Sequence, residues 1–442
     1  MFKKRHGISQ ANQSMFAHDF KTEPYWWDRT PRPELAVGDL PPSVEVAIVG
    51  SGYTGLNAAI VTARGGRSTL VLDSEDAGFG CSTRNGGQIS TSVKPSLGEL
   101  TRRYGPQTAF DILKEGQTAL SWIGDFIERE GMDCDFMVPG RFHAAHSPGA
   151  FDKLVGQVTS QPRGLEVPYM IVERGDQQAE IGTDRYHGGI VFEKHASLDP
   201  ARYHQALLDL AVAAGAQVAA RARVTSIERT GQGFVLQASR GEVCARDVVI
   251  ATNGYTSGLT PWLRRRVVPI GSYVIATEPI ERDLMDRLMP RNRIVSDSRK
   301  VVFYYRPSPD RQRIVFGGRV SSAETNTRHS AVRLKRNLDR LFPELRDAKV
   351  SHSWMGFVAY TFDTLANTGK HDGMHYAMGY CGSGVSMASY LGMRIGQQVL
   401  GLRDGRTAFD GIPMTTRPLY FGSPWFLPAS VAWFRFMDCL KL

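Results

Sequence analysis

The strongest pattern along the chain is an apolar run that leads through a glycine-rich turn into a helix. Val44 to Val49 has the composition of a buried strand, and Gly50 to Gly55 opens a helical apolar repeat that ends near Arg64. A second apolar run, Thr69 to Leu72, ends at Asp73. This order predicts a β-α-β unit, in which a helix connects two parallel strands.

Helical and strand patterns fill most of the remaining chain. We expect helices over 96–130, 200–214, 331–342 and 384–400, the second of them capped by Asp199. We expect strands over 218–227, 234–238, 243–250, 273–277, 301–305, 314–316 and 374–378. The strand patterns between 267 and 319 alternate or are rich in aromatic residues, unlike the first apolar run, and predict an antiparallel sheet in a second domain.

Composition and charge narrow the class of protein. The chain has 442 residues, of which 42% are hydrophobic and 22% charged, as in a globular protein with a large core. Its net charge of +9 comes from scattered basic residues, so we expect no nucleic-acid partner. Five widely spaced cysteines predict neither a disulfide framework nor a metal site. The polar N-terminus lacks the apolar core of a secretory signal, so we expect a cytoplasmic protein.

The C-terminal tail leaves two interpretations open. Phe421 to Phe434 is rich in aromatic residues but is broken by Pro424 and Pro428, so it is too short to span a membrane. It either packs against the body of the protein or makes a peripheral contact with a membrane surface.

The glycine-rich turn carries the first chemical prediction. Gly50 permits a tight turn, Gly52 lets a diphosphate approach the start of the helix, and Gly55 lets helix and strand pack closely. Asp73, 18 positions after Gly55, is placed to accept hydrogen bonds from a ribose. A second glycine-rich turn, Gly379 to Gly384, also opens a helix. Two such helix starts could bind the two ends of one dinucleotide. The first turn alone does not distinguish NAD from FAD.

Four segments together resemble the D-amino acid oxidase superfamily of FAD enzymes. They are the Gly50 turn, the segment Gly78 to Gln88 with its Arg-Asn-Gly-Gly-Gln sequence, the segment Ala251 to Gly254, and the second turn. The chain is most similar to the gamma-glutamylputrescine oxidase branch, over most of its length. The resemblance implies an α/β fold in which a Rossmann-like FAD-binding domain is interleaved with an α+β substrate domain, whose antiparallel sheet roofs the flavin.

The resemblance also implies domain boundaries and cofactor contacts. The expected segments are an N-terminal arm (1–42), FAD-binding parts at 43–95, 191–265 and 350–405, substrate-domain parts at 96–190 and 266–349, and a C-terminal tail (406–442). The expected FAD-binding residues are Gly50, Ser51, Gly52, Tyr53, Thr54, Gly55, Asp73, Ser74, Ser82, Thr83, Arg84, Asn85, Gly86, Gly87, Gln88, Val224, Ala251, Thr252, Asn253, Gly254, Gly356, Gly379, Cys381, Gly382, Ser383, Gly384 and Val385. The flavin-linking cysteine of some relatives is missing between Ser353 and Phe357, so we expect FAD to be bound non-covalently.

The implied chemistry is hydride transfer from the carbon of a small amine or amino acid to flavin N5, followed by hydrolysis of the imine. Arg306 is the expected carboxylate clamp, and Tyr273, Tyr305 and Trp354 are the expected pocket aromatics. Val315 falls where some relatives carry a lysine that assists reaction with oxygen, so the electron acceptor stays open. Hydrogen peroxide is the second product if oxygen is that acceptor.

Two alternatives remain at this point. One is a secondary amino-acid oxidase or dehydrogenase, acting on pipecolate or proline-like substrates, that passes electrons to a membrane acceptor. The other is a non-catalytic flavin-binding subunit of a larger complex.

Overall fold

The computed structural model of the chain describes residues 13–35, 38–91, 93–321 and 326–439. The first twelve residues of the expected arm and the last three of the tail lie outside this range. The helices are Tyr25–Arg29, Tyr53–Arg64, Leu97–Tyr104, Pro106–Arg129, Pro148–Thr159, Pro200–Ala213, Pro261–Arg264, Arg282–Leu288, Thr327–Leu341, Gly384–Val399 and Leu427–Cys439.

An eight-stranded sheet carries the predicted β-α-β unit. Its main path runs in the order Val224–Thr230, Gly233–Ala238, Gly241–Ile250, Ser43–Val49, Thr69–Leu72 and Gln217–Ala219. Met374–Met378 joins it beside Gly241–Ile250 and pairs with Asn367–His371. Ser43–Val49 is parallel to both of its neighbours, as the crossover helix Tyr53–Arg64 requires. The predicted β-α-β unit is therefore confirmed.

A nine-stranded sheet forms the second half of the α/β fold. Its order is Phe16–Lys21, Val350–Thr361, Val267–Thr277, Ile314–Ser321, Phe303–Pro307, Ile294–Asp297, Arg141–Ala144, Gly189–Phe192 and Tyr169–Val172. The pairs formed by Phe16–Lys21 with Val350–Thr361 and by Ile294–Asp297 with Arg141–Ala144 are parallel, and the others are antiparallel. A further short pair joins Gln88–Ile89 to Ala196–Ser197.

The expected segment boundaries differ from this architecture in three places. Phe16–Lys21 and the helix Tyr25–Arg29 are part of the folded body, so this stretch of the expected arm packs as part of the protein's core structure. The helix Pro106–Arg129, expected in the substrate domain, buries Ile112 and Ile123 in the same hydrophobic cluster as the glycine-opened helices. Val350–Thr361, expected in the FAD-binding domain, is a strand of the nine-stranded sheet. Apolar periodicity identifies an element but not the surface on which it packs, which explains these differences.

The C-terminal tail packs against the body of the protein, which is one of the two interpretations that the sequence left open. The carboxylate of Asp438 accepts hydrogen bonds from the backbone amides of Lys300 (2.7 Å) and Val301 (3.0 Å), which fixes the last helix to the body. The tail leaves large apolar side chains exposed, among them Trp425, Trp433 and Phe436, each more than half exposed. No helix of the described residues is long and apolar enough to cross a membrane.

The two glycine-opened helices, Tyr53–Arg64 and Gly384–Val399, pack closely because glycines lie at their contact. A Cβ atom at Gly392 would lie 2.4 Å from the carbonyl oxygen of Thr54, and one at Gly396 would lie 2.7 Å from Cβ of Val61. Both separations are shorter than van der Waals contact, so a larger side chain at either position would push the helices apart.

We expect Gly392→Ala to lower the free energy of unfolding by about 1–3 kcal/mol, because the added methyl group overpacks this contact. The measurement is the thermal unfolding midpoint of the purified protein. Gly156→Ala is the matched control, since Gly156 also lies inside a helix and a Cβ there meets no atom within 4 Å. The control should be neutral or stabilising by about 0.5–1 kcal/mol. Equal destabilisation in both variants would contradict the packing argument.

Candidate functional site

Two adjoining cavities lie between the sheets. The turn cavity, about 190 Å³, extends from Asp73 and Val224 past the Gly50 turn. The roof cavity, about 340 Å³, lies beneath the nine-stranded sheet and reaches from Gly384 to Arg141. Six residues line both cavities: Tyr53, Cys81, Ser82, Asn253, Tyr380 and Ala388. Together they form one elongated space with a glycine-opened helix beginning at each part.

The Gly50 turn is built as its sequence predicts. Gly50 has a φ of +108°, which a residue with a side chain rarely adopts, and a Cβ at Gly55 would lie 1.9 Å from the Gly50 carbonyl oxygen. Asp73 Oδ2 accepts hydrogen bonds from the Ser51 backbone amide (2.8 Å) and hydroxyl (2.6 Å). Asp73 therefore fixes the turn while it also lines the turn cavity.

The second glycine-rich turn opens the helix Gly384–Val399 at the wall of the roof cavity. The backbone amide of Gly379 donates to Asn253 Oδ1 (3.0 Å), which joins this turn to the end of the strand Gly241–Ile250. Cys381 adopts a φ of +52° and faces the cavity. Burial raises the pKa of Cys381 to about 11, and that of Cys81 to the same value, so both side chains are neutral thiols at neutral pH.

The segment Ser82–Gln88 forms the floor of the roof cavity, and three indole N–H groups hold it from behind. Trp26 donates to the Asn85 carbonyl oxygen (2.8 Å), and Trp27 donates to the Thr83 hydroxyl (2.8 Å). Trp354 donates to the Arg84 carbonyl oxygen (2.9 Å). We call this segment the clamped loop. Its contacts fix its backbone while one face stays open to the cavity.

Most of the expected cofactor residues line one of the two cavities. Those of the turn cavity are Gly50, Gly52, Tyr53, Thr54, Asp73, Ser74, Ser82, Val224, Ala251, Thr252 and Asn253. Three of these, Tyr53, Ser82 and Asn253, line the roof cavity as well. The other expected residues of the roof cavity are Arg84, Asn85, Gly86, Gln88, Gly356, Cys381, Gly382, Gly384 and Val385. The others, Ser51, Gly55, Thr83, Gly87, Gly254, Gly379 and Ser383, lie behind the walls. A Cβ at Gly254, for example, would lie 2.7 Å from the Phe357 carbonyl oxygen.

The four residues expected to contact the substrate lie outside the cavity walls. Tyr273 and Tyr305 are fully buried in the hydrophobic cluster on the far side of the nine-stranded sheet, where the Tyr305 hydroxyl donates to that of Tyr186 (3.2 Å). Alternation along the strand explains this, because Tyr304 then faces the roof cavity. Trp354 supports the clamped loop instead.

Arg306 also supports the clamped loop rather than lining the cavity. Its Nη1 donates to the Gly87 carbonyl oxygen (3.1 Å), and its side chain is almost completely buried against Trp26. Nε and Nη2 have no hydrogen-bond partner within the described residues. Burial lowers the pKa of Arg306 to about 10. Val315, its cross-strand neighbour, belongs to the apolar cluster that contains Trp26 and Trp354.

The sequence analysis missed the residues at the end of the roof cavity. Arg141 and His143 lie two positions apart on one strand and both line the cavity, together with Lys94 and Ser296. The signal in the sequence is the alternation of polar and apolar residues in Arg141–Ala144, which predicts one polar face. Tyr304 and Ser272 share a hydrogen bond (2.9 Å between their hydroxyl oxygens) in the roof.

The shape and lining of the joined cavities fit an extended dinucleotide. One helix begins at the turn cavity and another at the roof cavity, and each start presents backbone amides and partial positive charge. Gly52 lines the turn cavity beside Ser82, and a Cβ there would lie 2.9 Å from Ser82 Oγ.

Comparisons with known proteins agree with this geometry. The profile of the family described as "DAO: FAD dependent oxidoreductase" matches residues 45–398. The chain is 29% identical over 423 residues to the probable oxidoreductase OrdL of Rhizobium meliloti, covering 94% of this chain and 97% of that protein. It is 29% identical over 378 residues to the gamma-glutamylputrescine oxidoreductase of Escherichia coli, covering 84% and 86%. The crystal structure of glycine oxidase from Geobacillus kaustophilus shares the fold, with a TM-score of 0.72 at 19% identity, covering 86% of this chain and 99% of that one.

We expect Gly87→Ala to weaken FAD binding, because it moves the clamped loop. Gly87 has a φ of +66°, and a Cβ there would lie 2.2 Å from the Leu198 carbonyl oxygen. Equilibrium titration of the apoprotein with FAD, followed by flavin fluorescence, measures the effect, and we expect a dissociation constant at least about tenfold higher. Gly98→Ala is the control, since a Cβ at Gly98 meets no atom within 4 Å. Unchanged affinity for Gly87→Ala would show that the loop does not depend on this glycine.

Proposed function

The chain belongs to the DAO family of FAD-dependent oxidoreductases, and from this premise we propose that it oxidises the carbon–nitrogen bond of a small amine or amino acid. The single observation that carries the proposal is the joined pair of cavities, because together they suit an extended dinucleotide and the roof cavity leaves room for a substrate beneath its sheet. The similarity to the gamma-glutamylputrescine oxidoreductase of Escherichia coli supports an amine as the reacting group.

The chain is an enzyme, and its cofactor is FAD. When bound, FAD supplies the acceptor for the hydride of the substrate. In the proposed arrangement, the amides near Gly50 and Gly52 hold the diphosphate, and Asp73 lies near the adenosine. The clamped loop and the turn at Gly382 hold the flavin ring. Non-covalent binding is supported by the neutral thiols of Cys81 and Cys381.

The roof residues define what the chain itself contributes to the reaction. Tyr304, Ser272 and Phe357 would cover the substrate and exclude bulk water from the reacting carbon. No Asp or Glu is among the described lining residues of the roof cavity, so the wall offers no carboxylate that would favour an ammonium over the neutral amine. The neutral amine is the form from which a hydride can leave, and water then hydrolyses the imine.

A second candidate is a secondary amino-acid oxidase or dehydrogenase, acting on proline-like substrates, that passes electrons to a membrane acceptor. The exposed aromatic residues of the tail favour a peripheral membrane contact in an otherwise cytoplasmic enzyme. Basic side chains lie beside them, since the Arg265 guanidinium is 4.8 Å from the ring centre of Phe421. Aromatic residues next to basic residues suit the interface of an anionic bilayer.

We expect amines or amino acids to bleach the visible absorbance of the FAD-loaded protein under anaerobic conditions. A panel of primary amines, gamma-glutamyl amines, pipecolate, proline and glycine identifies the substrate class. Readmission of air then separates the electron acceptors: rapid recolouring with peroxide marks an oxidase, and recolouring only with a quinone marks a dehydrogenase. If no member of the panel bleaches the flavin, a non-catalytic flavin-binding subunit becomes the better description.

We expect the protein to sediment with vesicles that contain anionic phospholipid. Replacing Trp433 and Phe436 together by Ser should reduce the bound fraction several-fold, because both side chains are more than half exposed on the tail helix. Val138→Ser is the control, since Val138 is equally exposed on another surface. Sedimentation that is unaffected by the tail substitutions would contradict the proposed contact, and concentration-dependent self-association would assign the aromatic residues to an interface between copies.

A further inference from the structure

The roof hairpin, residues 294–307, carries three residues that line the roof cavity. Ser296 and Tyr304 lie opposite each other in its two strands, and each strand is also paired with a further strand of the sheet. Val302 lies in the connection between the two strands, residues 298–302, and belongs to neither of them. The position of Val302 therefore depends on what holds this connection.

Asp297 holds the base of the roof hairpin from within. Its Oδ1 accepts hydrogen bonds from the backbone amides of Arg299 (3.4 Å) and Phe303 (3.0 Å). Its carboxylate is fully buried and forms an ion pair with the Arg299 guanidinium, which offsets the cost of burying the charge. These contacts fix both ends of the connection. Its tip, Lys300 and Val301, is held by a different segment of the chain.

Asp438 of the last helix holds the tip of the roof hairpin. Its Oδ1 accepts from the Lys300 backbone amide (2.7 Å) and its Oδ2 from the Val301 backbone amide (3.0 Å), so each carboxylate oxygen serves one amide. Hydrogen bonds to an ionised carboxylate are stronger than those between neutral groups, and Asp438 is the single acidic residue in the helix Leu427–Cys439. Because Val302 follows directly, this carboxylate sets the path along which the chain enters the second strand.

The tail is also anchored to the roof sheet ahead of the last helix. The Tyr420 hydroxyl donates to the carbonyl oxygen of Val267, the first residue of its strand, at 2.6 Å. The ring centre of Phe426 lies 6.3 Å from that of Phe362, just after the strand that carries part of the roof cavity. The last helix is therefore fixed to the roof sheet at both of its ends, and Asp438 is the contact that reaches the roof hairpin.

We propose that Asp438 is a positioning residue of the roof: it keeps Val302 against the roof cavity, so the substrate space is complete only while the last helix is docked. Asp438 is not among the described lining residues of either cavity, so it acts through the backbone of Lys300 and Val301. The inference rests on the proposed binding of substrate beneath the roof, and it makes the tail a part of that site.

Hydrogen exchange of the FAD-loaded protein tests the contact without turnover. Asp438→Ala removes both acceptors, so we expect the amides of Lys300 and Val301 to exchange at least about tenfold faster, as measured by mass spectrometry of a peptide covering 298–303. Asp438→Asn keeps one acceptor oxygen and should give an intermediate rate. Asp133→Ala is the matched control, because the Asp133 side chain is 87% exposed. Unchanged exchange in Asp438→Ala would overturn the inference.

Access of a small neutral probe to the flavin shows whether the position of Val302 matters for the cavity. We expect acrylamide to quench the fluorescence of bound FAD several-fold more strongly in Asp438→Ala than in the wild-type protein. Val302→Gly should increase quenching in the same way while the exchange of the Lys300 amide stays slow, because its contact with Asp438 is intact. Faster exchange in Asp438→Ala without increased quenching would overturn the inference. If Asp438→Ala fails to fold, Asp438→Asn and Val302→Gly decide the question.

Kinetics separate this inference from the proposed function. With the compound of the substrate panel that bleaches the flavin most efficiently, Asp438→Ala should raise KM about 5- to 10-fold and change kcat by less than about twofold, because the groups around the flavin stay in place. A fall in kcat with unchanged KM would overturn the positioning role and leave the function intact. Faster exchange and stronger quenching in Asp438→Ala without bleaching by any compound would overturn the function and leave the contact between tail and roof intact.

Discussion

The structure depends on the immobilisation of one short loop. If the flavin lies as proposed, the clamped loop holds its backbone against a flat ring, and it can then be fixed only from its opposite face. Three indole N–H groups provide that support, and Trp26 and Trp354 are completely buried while they do so. A tryptophan combines a large apolar ring with one N–H donor of fixed direction. The ring excludes water from the contact, and the N–H fixes the position of the loop.

The same requirement explains why elements that are distant in sequence meet at this place. Trp26 and Trp27 come from the N-terminal helix, and Trp354 comes from the strand Val350–Thr361, next to the edge of the nine-stranded sheet. Arg306 contributes from a third element by donating to the Gly87 carbonyl oxygen, which also accepts from the backbone amide of Leu198. The cofactor-side wall is therefore held by side chains that do not themselves line the cavity.

The sequence could predict the parts of the fold that depend on local order. The β-α-β unit, both glycine-rich turns and the cap at Asp199 follow from periodicity and from positions that only certain residues tolerate. The facing direction of Tyr304 and Tyr305 could not be predicted, because a shift of one residue in strand register exchanges the two sides. Arg141 and His143 were missed for another reason: their place at the end of the roof cavity depends on how segments distant in sequence assemble.

The pairing of Phe16–Lys21 with Val350–Thr361 has a consequence for the biosynthesis of the protein. Phe16–Lys21 leaves the ribosome long before its partner strand Val350–Thr361. The helix Gly384–Val399, which closes the other end of the cofactor space, follows later still. The aromatic helix Tyr25–Arg29 therefore lacks part of its packing surface until the later strand has been made, and the complete FAD site forms only after Gly384–Val399 has emerged.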